Sequence, residues 1–138
     1  MSAAEFLDTN ILVYAYDDGE PRKQSIARTY LQRALAGEYV ISVQVLGELS
    51  ATLLHKFSTP ITPGEMMRIL DALSPVQVVQ PGKELVRRAV EAHAKYGVHF
   101  YDGMILAAAE KAGCRRILSE DLNSGQEYFG IKVENPFE

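Results

Sequence analysis

Three aspartates stand at points of the sequence where an α/β fold would bring side chains together. Asp8 follows the short run 4–7, Asp121 closely follows the run 116–118, and Asp102 opens an apolar helical stretch. In an open α/β sheet, ligands bind beyond the carboxyl ends of the strands, where the following helices also begin. We therefore expect these carboxylates to converge. Because Mg²⁺ and Mn²⁺ take oxygen ligands, the spacing predicts a divalent-cation site.

Each aspartate also has a purely structural interpretation. Asp8 or Asn10 could cap the helix that follows, and the helix dipole favours Asp102 in a first helical turn. Asp121 lies in a Ser-Glu-Asp-Leu-Asn-Ser-Gly segment, which is typical of a turn. None of the three carboxylates indicates a site alone. Their expected coincidence at one edge of the sheet does.

The elements that must position these side chains alternate between strand and helix. Short strand-like runs occur at 4–7, 39–41, 76–79, 116–118 and 130–133, and helical patterns begin near residues 11, 21, 43, 63, 83 and 102. Strands separated by helices of this length form parallel βαβ units. The sequence therefore predicts an α/β fold with a central parallel sheet of about four to five strands and helices on both faces.

Helical periodicity predicts which helix faces are buried. In the helix after Ser42, the apolar stripe is Val45, Leu46, Leu49, Leu53 and Phe57. That stripe leaves Glu48 on the solvated side. In the helix after Gly82, the apolar face carries Val86, Ala89, Val90 and His93. Periodicity alone therefore gives Glu48 no function.

Composition narrows the class of protein. The 138 residues are 47% hydrophobic and 23% charged, which predicts one folded domain over residues 1–138. A single cysteine, Cys114, excludes an intramolecular disulfide, and neither a membrane-length apolar run nor a signal-peptide pattern is found. We expect a cytoplasmic protein that does not associate with membranes. Fourteen Lys and Arg against eighteen Asp and Glu give a net charge of −4, so binding of nucleic acid by a basic surface alone is disfavoured.

Four motifs occur in a familiar order. They are Phe6-Leu7-Asp8-Thr9-Asn10-Ile11-Leu12-Val13-Tyr14-Ala15, Ser42-Val43-Gln44-Val45-Leu46-Gly47-Glu48-Leu49, Tyr101-Asp102-Gly103-Met104-Ile105-Leu106-Ala107-Ala108-Ala109 and Ile117-Leu118-Ser119-Glu120-Asp121-Leu122. With these motifs the chain resembles the PIN-domain nucleases, and among them the small VapC-type toxins. The resemblance extends over nearly the whole chain and makes Glu48 a site residue.

The resemblance implies a function. It implies hydrolysis of RNA phosphodiester bonds with Mg²⁺, or Mn²⁺ as a substitute, and it implies a cognate antitoxin protein and a homodimer. The implied catalytic residues are Asp8, Glu48, Asp102 and Asp121. Of these, Asp8, Asp102 and Asp121 would ligate the metal, while Thr9, Asn10 and Ser119 would orient the carboxylates. RNA-binding residues are not identified; the candidates are the pairs Arg22–Lys23, Arg87–Arg88 and Arg115–Arg116.

One position departs from the family pattern. Asn123 stands near the place of a further acid, and the neighbouring Glu120 could substitute for that acid only in part. Two alternatives stay open: a PIN-like RNA-processing nuclease without an antitoxin, and a non-catalytic α/β binding module whose carboxylates are caps and turn residues. A haloacid-dehalogenase type of site is disfavoured because it needs a second aspartate where Asn10 stands.

Overall fold

Five parallel strands and one short antiparallel strand form a single sheet. The computed structural model describes residues 5–57 and 60–138, and its strand order is β3-β2-β1-β4-β6-β5. The strands are β1 (Glu5–Leu7), β2 (Tyr39–Ser42), β3 (Gln77–Val79), β4 (Arg116–Leu118), β5 (Glu127–Tyr128) and β6 (Ile131–Glu134). The predicted α/β class with a mostly parallel sheet is confirmed.

Strand β5 is not predicted from the sequence, because a two-residue strand carries no alternating pattern. It pairs antiparallel with β6, with Tyr128 opposite Ile131. The two turn residues between them, Phe129 and Gly130, both have positive φ angles of 51° and 77°, as a tight hairpin turn requires. The Tyr96 hydroxyl accepts a hydrogen bond from the Phe129 backbone N–H at 2.8 Å, which supports this conformation.

Four of the six helices in the described ranges are preceded by a residue whose side chain caps them. The six are α1 (Thr9–Ala15), α2 (Pro21–Leu35), α3 (Val43–Ala51), α4 (Pro63–Ala72), α5 (Lys83–Tyr96) and α6 (Phe100–Lys111), and the four capped ones are α1, α3, α4 and α6. Ser42 caps α3 by accepting from the Val45 N–H, and Thr62 and Glu65 form the expected capping box of α4. Helix α6 begins two residues earlier than predicted, because His99 caps it through Nδ1. A π-helical turn over Thr52–Lys56 continues α3.

The order in which the chain adds strands to the sheet reverses after β3. Strands β1, β2 and β3 lie in sequence order, and β4 then returns to the other side of β1. Because parallel crossovers are right-handed, this reversal places α5 and α6 on the face of the sheet opposite α1 to α4. Fully buried residues of the central strands, such as Phe6, Ile41 and Ile117, separate the two helical layers.

Helix α5 buries only Ala89 of the face predicted for it. Val86 and Val90 are 46% and 54% exposed and His93 is exposed, whereas Leu85, Ala89 and Ala92 are buried. The reason is the close contact between α5 and α6 at Gly103, where an added Cβ would lie only 2.7 Å from the Ala89 carbonyl oxygen. A contact this close requires small side chains, so the alanine face of α5 turns inward. No helix in the described ranges is long and apolar enough to cross a membrane.

Candidate active site

The reversal of strand order creates a crevice beyond the carboxyl ends of β1 and β4. These two strands are neighbours, with Leu7 opposite Leu118, and the strand order reverses between them. The Asp8 N–H donates to the Leu118 carbonyl at 2.9 Å, so Asp8 and Ser119 emerge side by side. A point at which strand order reverses is where open α/β sheets bind ligands.

Asp8 is the most buried of the four acids. Its side chain is buried; Oδ1 accepts from the Thr9 N–H at 2.7 Å and Oδ2 accepts from the Ser119 hydroxyl at 2.7 Å. Burial raises the pKa of Asp8 to about 7, and the negative charges of Asp121 and Asp102 add to the rise, whereas the two hydrogen bonds oppose it. Asp8 is therefore both the cap of α1 and a buried carboxylate with acidic neighbours.

Glu48 reaches the same region from α3. The Thr9 hydroxyl donates to Glu48 Oε1 at 2.7 Å, which ties the polar face of α3 to the first turn of α1. Helical periodicity alone predicts a solvated glutamate because it cannot show that α1 lies against this face. Only the motif around Glu48 indicated the site.

Asp102 and Asp121 stand within electrostatic range of these carboxylates. Burial raises the pKa of the half-buried Asp102, the charges of Asp121 and Glu48 also raise it, and His99 opposes the shift. Asp121 itself is exposed. Charge effects and the Thr9 hydrogen bond thus link four carboxylates from four separate segments of the chain.

Ser119 and Asn10 hold the segment that carries Asp121. The Ser119 hydroxyl oxygen accepts from the backbone N–H groups of Asp121 and Leu122, both at 3.2 Å, while its proton goes to Asp8. Asn10 Oδ1 accepts from the Glu120 N–H at 3.3 Å. The Asn10 Nδ2 group is buried and has no hydrogen-bond partner among the described residues. Thr9 and Ser119 thus contact carboxylates directly, whereas Asn10 contacts the backbone beside one.

The four carboxylates form no ion pair within the part of the chain that the structure describes. None of its ion pairs includes Asp8, Glu48, Asp102 or Asp121. Like charges gathered in a partly buried crevice destabilise one another, so the arrangement favours uptake of a cation.

A divalent cation fits this site by donor chemistry and by charge. The available side-chain atoms are carboxylate, hydroxyl and amide oxygens, the donors that hard cations prefer. Over residues 5–57 and 60–138, however, no three His, Cys, Asp or Glu side chains are close enough together to hold one ion. The ligand set Asp8, Asp102 and Asp121 therefore stays a prediction.

The basic pairs suggested as phosphate contacts are largely engaged within the protein. Arg22 donates to the Phe137 carbonyl, and Lys23 pairs with Glu120. Arg88 and Arg116 are also held in ion pairs.

Asn123 stands near the place of the family's further acid. Its side chain donates to Gln126 within its own turn at 3.0 Å and makes no hydrogen bond to the four carboxylates.

Glu120 does not turn toward the carboxylates either. Its side chain points to α1 and α2, where Tyr14 and Lys23 bind it. The sequence indicates Lys23 only as a phosphate contact and indicates no role for Tyr14. The one feature of the sequence that could indicate the contact of Tyr14 and Lys23 with Glu120 is the position of this acid next to Asp121.

Fold and site together define a protein of the PIN fold, with an acidic crevice at its topological switch point. The chain belongs to the PIN-domain family, whose model matches residues 6–125 and whose members are nucleases. No curated protein matches the chain.

Solved structures share the fold over nearly the whole chain. A toxin–antitoxin complex from Klebsiella pneumoniae is 20% identical, with a TM-score of 0.69 over 98% of this chain and 99% of that one. VapC20 of Mycobacterium tuberculosis, a toxin that cleaves the sarcin–ricin loop, is also 20% identical, with a TM-score of 0.63 over 86% and 92%. VapBC2 of Rickettsia felis, bound to promoter DNA, is 18% identical, with a TM-score of 0.67 over 96% and 98%.

Proposed function

We propose that this protein is an endoribonuclease that depends on Mg²⁺, with Mn²⁺ as a substitute, and that it is the toxin of a toxin–antitoxin pair. The observation that carries the proposal is that charge effects and the Thr9 hydrogen bond link Asp8, Glu48, Asp102 and Asp121, none of which forms an ion pair in the described ranges. Membership of a nuclease family gives this crevice its reaction class.

In this proposal Asp8, Asp102 and Asp121 hold the metal. When bound, a divalent cation acidifies a water molecule and neutralises negative charge on the phosphoryl group. The burial of Asp8 and the unbalanced charges around it support this assignment.

The neighbouring residues prepare the carboxylates for this task. Ser119 and the Thr9 N–H fix both oxygens of Asp8. The Thr9 hydroxyl occupies Glu48 Oε1, and Glu48 Oε2 has no hydrogen-bond donor among the described residues. That second oxygen is therefore the one that can orient the attacking water or receive its proton.

The partners are proposed from the structural neighbours and from the surface of α5. The neighbours include toxin–antitoxin complexes, which supports a cognate antitoxin, and VapC20 cleaves the sarcin–ricin loop, which supports RNA as the substrate.

Val86 and Val90 lie one helical turn apart and are half exposed. We propose that they face a second copy of the chain in a homodimer. We also propose that the protein acts in the cytoplasm, where the free, buried thiol of Cys114 would stay reduced.

The test is cleavage of mixed cellular RNA by purified, partner-free protein with Mg²⁺, with Mn²⁺ and with EDTA. We expect cuts that require the metal and that disappear in Asp8→Asn, with folding checked by circular dichroism. The absence of cuts, together with no measurable Mn²⁺ binding, would support the non-catalytic binding module instead.

A second experiment separates the toxin from a processing nuclease. Induced expression of a toxin should arrest bacterial growth, and co-expression of a small protein encoded next to it should relieve the arrest. Cleavage in vitro without growth arrest, and without such a neighbour, would favour the RNA-processing role. Asp8→Asn is the matched control, because it removes the carboxylate and keeps the side-chain shape.

A further inference from the structure

The side chain of Glu120 is fixed by two neighbouring helices. The Tyr14 hydroxyl of α1 donates to Glu120 Oε1 at 2.6 Å, and Lys23 of α2 donates to Glu120 Oε2. Lys23 also donates to the Tyr14 hydroxyl oxygen at 3.3 Å. Both carboxylate oxygens of Glu120 are thus occupied, and the ion pair is only about one-quarter exposed, at 27% for Lys23 and 25% for Glu120.

Phe137 encloses this contact from the C-terminal segment. Its ring packs edge-on against the Tyr14 ring, with centroids 5.0 Å apart, and the Lys23 ammonium lies 4.7 Å from the Tyr14 centroid and 5.5 Å from that of Phe137. The Phe137 carbonyl accepts from Arg22 at 2.6 Å. The Lys23–Glu120 pair is therefore held in an aromatic setting that restricts its movement.

The segment attached to this anchor carries a proposed metal ligand. Asp121 directly follows Glu120, and its side chain accepts no hydrogen bond from the described residues. Its place is set by the backbone, which Asn10 and Ser119 hold on either side, and by the anchored side chain of Glu120. Release of Glu120 would loosen the segment and would also let another negative charge turn toward the acidic crevice.

We infer that Lys23 and Tyr14 are positioning residues for Asp121, acting through Glu120. This inference rests on the proposed function, in which Asp121 ligates the metal. By holding Glu120 away from the crevice, the two residues keep a fifth carboxylate out of the site and fix the backbone that presents Asp121. Partners that hold ligands in this way commonly affect metal affinity by about 10-fold to 100-fold.

The test compares Lys23→Met and Tyr14→Phe with the rescue variant Lys23→Arg. The matched control is Lys111→Met, which removes an exposed lysine–glutamate pair between α5 and α6. Three properties are measured: Mn²⁺ affinity by electron paramagnetic resonance, kcat and KM for RNA cleavage, and hydrogen exchange of the Asp121 amide in metal-free protein. Melting curves confirm that each variant is folded.

We expect Lys23→Met to weaken Mn²⁺ binding and to lower kcat by about 10-fold, with KM for RNA unchanged and faster exchange at Asp121. Tyr14→Phe should have a smaller effect in the same direction, Lys23→Arg should restore most of the loss, and Lys111→Met should behave as wild type. A raised KM with unchanged Mn²⁺ affinity would overturn the inference and make Lys23 an RNA contact.

The inference and the proposed function can fail separately. If the wild-type protein neither binds Mn²⁺ nor cleaves RNA, the proposed function fails whatever the variants do. If the wild-type protein is active but exchange at Asp121 and Mn²⁺ affinity are the same in Lys23→Met as in wild type, only the positioning role is overturned.

Discussion

Acidic side chains have opposite surroundings in two regions of this molecule. On the outer surface of α5 and α6, Arg88 binds both oxygens of Glu110 at 2.8 and 2.9 Å, and Lys111 binds Glu84 at 3.1 Å. In the crevice beyond β1 and β4, four carboxylates are gathered and no described ion pair includes them. On that surface the acidic side chains lie against basic ones that neutralise their charge. Unpaired acids that lie within range of one another's charge cost stability, which supports the proposal that the crevice is the site of function.

Removal of one acid from each region tests most directly whether the two regions differ in function. Asp8→Asn should reduce RNA cleavage by more than about 100-fold, because loss of a ligand should exceed the loss caused by an outer partner. Glu84→Gln, on the paired surface, should leave cleavage unchanged. Initial rates at saturating Mg²⁺ measure both effects, and equal losses in the two variants would remove the distinction between the regions.

The pH dependence of stability gives a second test. In the folded chain the pKa of Asp8 is raised from 3.8 to about 7, so the folded state keeps a proton that the unfolded state has released between these values. In EDTA, the free energy of unfolding should therefore fall as the pH rises through this window, by about 1.4 kcal/mol for each unit of pKa difference, and stay level above it. The raised pKa of Asp102 acts in the same direction.

Denaturant titrations at a series of pH values measure this slope. Asp8→Asn should remove most of it and should be more stable than wild type at the alkaline end. Asp71→Asn, which changes an exposed aspartate of α4, is the control and should keep the wild-type slope. If Asp8→Asn keeps that slope as well, then burial of Asp8 is not its cause.

Gly103 lies between the two regions, next to Asp102 in sequence and against α5 in space. An added Cβ would lie 2.7 Å from the Ala89 carbonyl oxygen, so Gly103→Ala should destabilise the fold by about 1 to 3 kcal/mol. Gly47→Ala is the control: it is exposed within α3 and has no atom within 4 Å of the added Cβ. It should stabilise the protein by about 0.5 to 1 kcal/mol, as thermal denaturation would show.

The smallest effect concerns two adjacent arginines of α5. Arg88 binds Glu110 and Glu91, and its guanidinium lies 3.6 Å from the centroid of the Phe129 ring, so Arg88→Met should cost about 1 kcal/mol of stability. Arg87 is almost fully exposed, and Arg87→Met should change stability by less than about 0.5 kcal/mol. Neither change should affect Mn²⁺ binding, and a loss of binding in Arg88→Met would link the two regions.

Much of the fold follows from local sequence signals. The strand–helix alternation predicts the parallel sheet, and Thr62, Pro63 and Glu65 predict the start of α4, because capping depends on neighbours in the chain. Of the predicted apolar face of α5 only Ala89 is buried, because hydrophobicity favours the valines whereas the close contact at Gly103 requires alanine. The hydrophobic periodicity of either helix alone cannot predict such a contact between them.

The candidate site shows the same limit. Asp8 and Asp121 are predicted to converge because strand ends share an edge of the sheet, and the structure brings them into electrostatic range. Glu48 needs its motif, since its link to Thr9 spans two helices. The anchoring of Glu120 by Tyr14 and Lys23 joins residues 106 and 97 positions apart, and no local pattern carries that information.

The distance along the chain between Asp8 and Ser119 has a consequence for protein synthesis. Their hydrogen bond joins residues 111 positions apart, and β4, which places Ser119, needs both β1 and β6 as neighbours. A nascent chain therefore cannot assemble the crevice until the residues of β6 have left the ribosome. A prematurely terminated chain that lacks β4 carries Asp8, Glu48 and Asp102 but neither Ser119 nor Asp121, so we expect such a fragment to lack the proposed activity.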